Sequence, residues 1–61
     1  MSLHRHGVLL IDDEALARQR LRQLLHAAPG FEVLGECADS RGVVDAVRTL
    51  RPDVVFLDVR M

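Results

Sequence analysis

Val8-Leu9-Leu10-Ile11 is an unbroken apolar run of branched side chains, and it stops abruptly at three acids, Asp12-Asp13-Glu14. A short run with no polar alternation reads as a strand buried on both faces, as in a parallel sheet. The first strand is expected over about 7–12. The pattern returns near the other end, where Asp53-Val54-Val55-Phe56-Leu57-Asp58 again runs apolar into acid. Between them lies a helical stretch of about 14–28. Its apolar positions Ala17, Leu21, Leu24, Leu25 and Ala28 recur at helical spacing and predict one buried stripe. Pro29-Gly30 stops it.

Phe31–Ala38 reads as a second strand. Glu32 and Glu36 fall on one side of its pleat, which suggests an edge strand partly open to water. Asp39 or Ser40 can cap a second helix with the stripe Val43, Ala46, Val47 and Leu50. Arg51-Pro52 ends that helix, since a residue before proline avoids the helical region. Asp53–Asp58 is the third strand.

The order is therefore βαβαβ, an α/β arrangement. Parallel crossovers are right-handed almost without exception. With strands two and three on opposite sides of strand one, the spatial order is 2-1-3 and the two helices cover opposite faces. Ligands of such open sheets bind beyond the carboxyl ends of the strands, in the crevice where the order reverses. Asp12, Asp13 and Asp58 are expected to converge there.

Composition narrows what these acids meet. The chain has 61 residues, 49% of them hydrophobic, with only two aromatics, Phe31 and Phe56. That is one small domain at most, with an aliphatic core and only about 60% of its extended-chain surface buried. Its formal net charge is −1, from eight arginines, no lysine and nine acids. Such a balance gives no reason to propose nucleic acid or membrane as the partner of this segment. No apolar run reaches the roughly 20 residues that span a bilayer, and no secretion signal is seen, so a cytoplasmic location is expected. Residues 1–6 read as a loose lead-in, with Met1-Ser2-Leu3 a remnant of expression.

Three clustered carboxylates need a counter-ion. Hard oxygen ligands suit Mg²⁺, which takes a few carboxylates and keeps several waters. A Mg²⁺ held by acids can bring in a phosphoryl group, and a carboxylate can attack phosphorus to give an acyl phosphate. Asp58, alone on its strand, is the better nucleophile; Asp12 and Asp13 form a pair.

In these motifs the chain resembles the first half of a response-regulator receiver domain, a flavodoxin-like fold. Val8–Glu14, the Asp53–Asp58 strand and Asp58-Val59-Arg60-Met61, similar to the family's D-x-x-M, carry the likeness. The stretch Asp12 to Leu21 is similar to receivers of LytTR-type transcription regulators. The resemblance implies that Asp58 accepts the phosphoryl group, from a sensor histidine kinase or a small phosphodonor. It implies that Asp13 binds Mg²⁺ directly, Asp12 through water, and Arg60 through its backbone carbonyl. It also implies a Ser or Thr after a fourth strand and a Lys after a fifth, regions these 61 residues do not reach. Residues 7–61 would then be the N-terminal half of a receiver, not itself an enzyme. DNA would be met only through an output domain.

Plainer readings compete. Asp12, Asp13 and Glu14 could simply cap the helix and offset its dipole. Asp53 suits the opening of its strand, Cys37 a small buried hydrophobe, and Arg18, Arg20 and Arg22 a solvated helix face. His4 and His6 lack a third metal ligand in sequence. Other function classes are a Mg²⁺-dependent aspartyl phosphatase and an inactive structural fragment. The phosphatase typically carries an acid two residues past its nucleophile, where this chain has Arg60. A nucleotide-binding unit lacks its G-x-G-x-x-G after the first strand. Finally, an apolar third strand at a sheet edge predicts that the isolated chain self-associates, unless it is the ordered part of a longer protein.

Overall fold

A computed structural model describes residues 5–58. Three strands and two helices follow in the order β1 (His6–Ile11), α1 (Ala15–Ala27), β2 (Phe31–Cys37), α2 (Val43–Leu50) and β3 (Val54–Leu57), with a 3₁₀ turn at Ser40–Gly42 before α2. All pairings are parallel and the sheet order is β2-β1-β3, the expected arrangement with strands two and three on opposite sides of strand one.

β1 is the axis of the molecule. Val8, Leu9 and Leu10 are completely buried and Ile11 nearly so. Alternation sends Val8 and Leu10 to one face, where they pack with Leu25 and Leu21 of α1, Phe31 and Val33 of β2, and Val54 of β3. On the other face Leu9 lies next to Gly35, over which Leu50 of α2 is folded. The helices therefore cover opposite faces.

The α1 stripe is narrower than its spacing suggests. Leu25 is buried and Ala17, Leu21 and Ala28 are half-buried, but Leu24 is 68% exposed. Leu21 and Leu25 are four apart and stack on the sheet. Leu24, a step of about 100° to one side, points past it. On α2, Val43, Ala46 and Leu50 are half-buried and Val47 lies at the margin. Asp39 caps the 3₁₀ turn, its Oδ1 accepting the Arg41 N–H at 2.9 Å. Regular α-helix starts only after Gly42. At the far end Arg51 closes α2 in the left-handed region common at helix C-termini, φ 48°, so the residue before Pro52 is out of the right-handed helical region as expected.

Two strand details depart from the periodicity. His6 belongs to β1 rather than to the lead-in: its N–H donates to Gly30 O at 2.7 Å and its ring lies against Phe31. In β2 the ladder to β1 skips Leu34, pairing Val8 with Val33 and Leu9 with Gly35. That bulge inverts the pleat's phase. Glu32 pairs with Gly7 and Glu36 with Leu10, so the two glutamates sit on opposite faces rather than one. β2 is still an edge strand, and Glu36 is turned toward α1.

Candidate functional site at the carboxyl end of the sheet

β1 and β3 run parallel and in register, Ile11 opposite Leu57, so the residues that follow them, Asp12 and Asp58, emerge side by side. The Asp58 N–H donates to Ile11 O at 3.0 Å and extends the ladder by one step. Asp12, Asp13 and Asp58 line one open hollow of about 190 Å³, with Ile11 and Leu57 beneath them. Its third side comes from the turn after β2: Ala38, Asp39 and Ser40. A larger hollow of about 330 Å³ lies toward the amino ends of β1 and β2, between Arg5, Arg22, His26, Phe31 and Glu32, and none of the aspartates reaches it.

The acids differ in how they are held. Asp12 is only 2% exposed. Its N–H donates to Cys37 O at 3.1 Å, its Oδ1 accepts the Glu14 N–H at 2.9 Å, and its carbonyl accepts Arg18 Nη1 at 2.6 Å. Asp13 and Asp58 are exposed. One part of the capping reading is therefore correct for Asp12, which satisfies an N–H at the start of α1. Glu14 holds the N-cap position, its carbonyl accepting the Arg18 N–H at 3.1 Å; α1 itself has no acid in its first turn.

The convergence is that of a shared hollow, not of a closed ligand shell. Among the described residues no three His, Cys, Asp or Glu side chains stand in metal-holding geometry. The donor chemistry nevertheless fits Mg²⁺: the side chains around the hollow offer oxygen and no nitrogen or sulfur, and this cation needs few protein ligands. Arg60 lies outside the described residues.

Sequence reasoning missed the roles of Asp39, at the hollow, and of Arg18 and Arg22 on α1. Asp39 was expected only as a cap, yet it is the fourth aspartate on the hollow. The signal was its place just after β2, at the same end of a parallel sheet. The Arg18-Arg20-Arg22 group is not uniformly a solvated face. Arg18 and Arg22 both pair with Glu36 of β2, Arg18 Nε at 3.3 Å from Oε1, while Arg20 is exposed. Asp53 is a strand opener as expected and stays away from the hollow. Cys37 is half-buried and free.

Comparison with known proteins agrees with this layout. A family model described as the response regulator receiver domain matches residues 8–61. The transcriptional regulatory protein BtsR of Salmonella typhi is 52% identical over 54 residues, which is 88% of this chain and 23% of that protein. BtsR of Escherichia coli K12 is 48% identical over the same share. A protein-glutamate methylesterase/protein-glutamine glutaminase of Geobacter metallireducens is 50% identical over 54 residues, 16% of its length. The chain thus spans about a quarter or less of these relatives. No described helix is long and apolar enough to cross a membrane.

Proposed function

This chain belongs to the response regulator receiver family, and from that premise we propose that Asp58 is its phospho-acceptor, with Asp12 and Asp13 holding Mg²⁺ beside it. The observation that carries the reading is the shared hollow: three carboxylates from the ends of two adjacent parallel strands face one solvent-open space. A carboxylate oxygen of Asp58 attacks the phosphorus of a phosphohistidine or of a small acyl phosphate. The new O–P bond forms as the P–N or P–O bond to imidazole or acetate breaks. Bound Mg²⁺ would offset the repulsion between anionic nucleophile and anionic donor. Asp12, nearly buried and fixed at backbone and side chain, serves as the rigid wall. Asp13 and Asp58, both exposed, are the groups that a donor or cation can reach. The Arg60 carbonyl is assigned to the same site on the family resemblance.

In this reading residues 7–61 are the first half of a receiver in a cytoplasmic regulator. Its partner is a sensor histidine kinase or a small phosphodonor, and it has no catalytic turnover of its own. The relatives named as transcriptional regulatory proteins favour an output in transcription; a LytTR-type, DNA-binding output domain rests on the resemblance of the stretch Asp12 to Leu21 alone. Phosphorylation of the full-length protein by acetyl phosphate tests the reading. Asp58→Asn keeps the shape, removes the anionic nucleophile and should abolish labelling. Asp13→Asn should slow labelling and raise the Mg²⁺ needed. Mass-spectrometric mapping of the phosphoryl group to any other residue overturns the assignment.

A further inference from the structure

Arg18 stands on α1 but reaches two other segments at once. Its Nη1 donates to the carbonyl oxygen of Asp12 at 2.6 Å, and its Nε lies 3.3 Å from Glu36 Oε1 on β2. The other oxygen of Glu36 accepts Arg22 Nη1, so that carboxylate is held by two arginines. Arg18 and Glu36 are both largely covered, with side chains 20% and 25% exposed. The Asp12 carbonyl belongs to the peptide that leads into Asp13. Clamping it sets the plane of that peptide and thereby the direction in which Asp13 leaves β1. The Asp12 N–H, held by Cys37 O, fixes the preceding peptide in the same way.

We infer that Arg18 is a positioning residue for the acidic site: braced by Glu36, its guanidinium holds the 12–13 peptide so that Asp13 faces the hollow it shares with Asp58. This rests on the proposed Mg²⁺-dependent reading of the site. The charge makes the inference testable by sign. A cation beside a cation site weakens Mg²⁺ binding by simple Coulomb repulsion. If Arg18 mattered only through its charge, removing it would tighten Mg²⁺. If it positions Asp13, removing it loosens the ligand and weakens Mg²⁺. Arg18→Met keeps an unbranched apolar stem without charge or donors. Arg18→Lys keeps the charge, but a single ammonium replaces the fork that reaches Asp12 and Glu36 together.

The experiment is Mg²⁺ titration of the full-length protein, wild type and variants, followed by NMR amide shifts at residues 12–14 and 58, with circular dichroism to verify folding. Both Arg18 variants should bind Mg²⁺ on the order of tenfold more weakly, the scale on which outer-shell partners act. The Asp13 amide nitrogen should also move in metal-free Arg18→Met, because the hydrogen bond to Asp12 O polarises that same peptide. Tighter binding in Arg18→Met with no change in Arg18→Lys would reduce Arg18 to a point charge and overturn the inference. Unchanged affinity in both folded variants would reduce it to a helix–sheet tie, with the same consequence. Should Arg18→Met not fold, Arg18→Lys decides. Asp13→Asn separates the two levels: if wild type and Asp13→Asn respond alike to Mg²⁺, the site reading itself fails and the inference with it. If Asp13→Asn binds weakly while the Arg18 variants match wild type, only the inference fails.

Discussion

Asp53 and Gly7 exchange two hydrogen bonds at the amino end of the sheet. The Asp53 N–H donates to Gly7 O at 2.8 Å, and the Gly7 N–H donates to Asp53 Oδ2 at 2.7 Å. The side chain of Asp53 thus supplies the acceptor that the short strand β3 does not reach, and it locks β3 to β1 before their regular pairing begins at Val54 and Val8. Gly7 is buried, so its N–H has no easy recourse to water. Asp53→Ala should therefore destabilise the protein by about 1–3 kcal/mol, the cost of leaving a buried donor unmade. Asp53→Asn keeps an acceptor oxygen and should cost less. Urea unfolding of the two variants checks the order.

The opposite side of Gly7 is closed by Leu34. A Cβ at position 7 would stand 2.4 Å from Leu34 Cδ1 and 3.0 Å from its Cγ. The second contact involves a branch point, which cannot swing away as a terminal methyl can. Overpacking of this kind costs about 1–3 kcal/mol, so Gly7→Ala should lower stability by that amount. Leu34→Ala in the same chain should restore part of it. A double-mutant cycle with strictly additive losses would show that the two positions do not press on each other.

That packing also marks where sequence reading reached its limit. Element order, strand order and the joint placement of Asp12, Asp13 and Asp58 were legible. They depend on long apolar runs, on the hand of crossovers and on strand ends, all coarse features. The bulge at Leu34 was not, because a seven-residue strand is too short for its alternation to reveal one unpaired residue. Missing it placed Glu32 and Glu36 on one face and hid the Glu36 that faces α1. Without that glutamate, Arg18 and Arg22 looked like solvated charges. Leu24 failed for a related reason: helical spacing identifies a stripe but not the width of the surface it meets.

The Asp39 carboxylate is held below the usual aspartate range. The first cause is the hydrogen bond it accepts from the Arg41 N–H; desolvation opposes it, and the Arg41 guanidinium adds a smaller attraction in the lowering direction. A carboxylate whose folded pKa is depressed contributes its stability above the unfolded pKa, about 3.9 for Asp, and loses it as pH falls through the lower folded value. The 3₁₀ turn should accordingly hold at neutral pH and loosen only under distinctly acid conditions. The Arg41 amide shift should titrate with a midpoint below that of an ordinary aspartate. Asp39→Asn should remove the titration. A midpoint at or above about 4 would contradict the bonding described.

The third strand makes the last prediction. Among the described residues β3 pairs with β1 on one side only, and Val55, Phe56 and Leu57 are 42%, 40% and 58% exposed. A strand apolar on both faces, with one row of backbone donors and acceptors open, is a template for another strand. Conformational entropy opposes folding by about 1–2 kcal/mol for each ordered residue, and so small an aliphatic core offsets it with little margin. Covering the open edge is the most direct gain available to the 61-residue polypeptide when it is prepared alone. The occupant expected is a second copy, paired through the same strand. Sedimentation over a concentration series should show a dimer or larger species, and an intact mass of 6.8 kDa should confirm which polypeptide is being measured. Val55→Lys places a charge on the open edge, where strand pairing would have to bury it, and should shift the equilibrium toward monomer. A wild-type chain that stays monomeric at high concentration and unfolds cooperatively would refute the prediction. It would mean that the β1-centred core suffices with its edge in water.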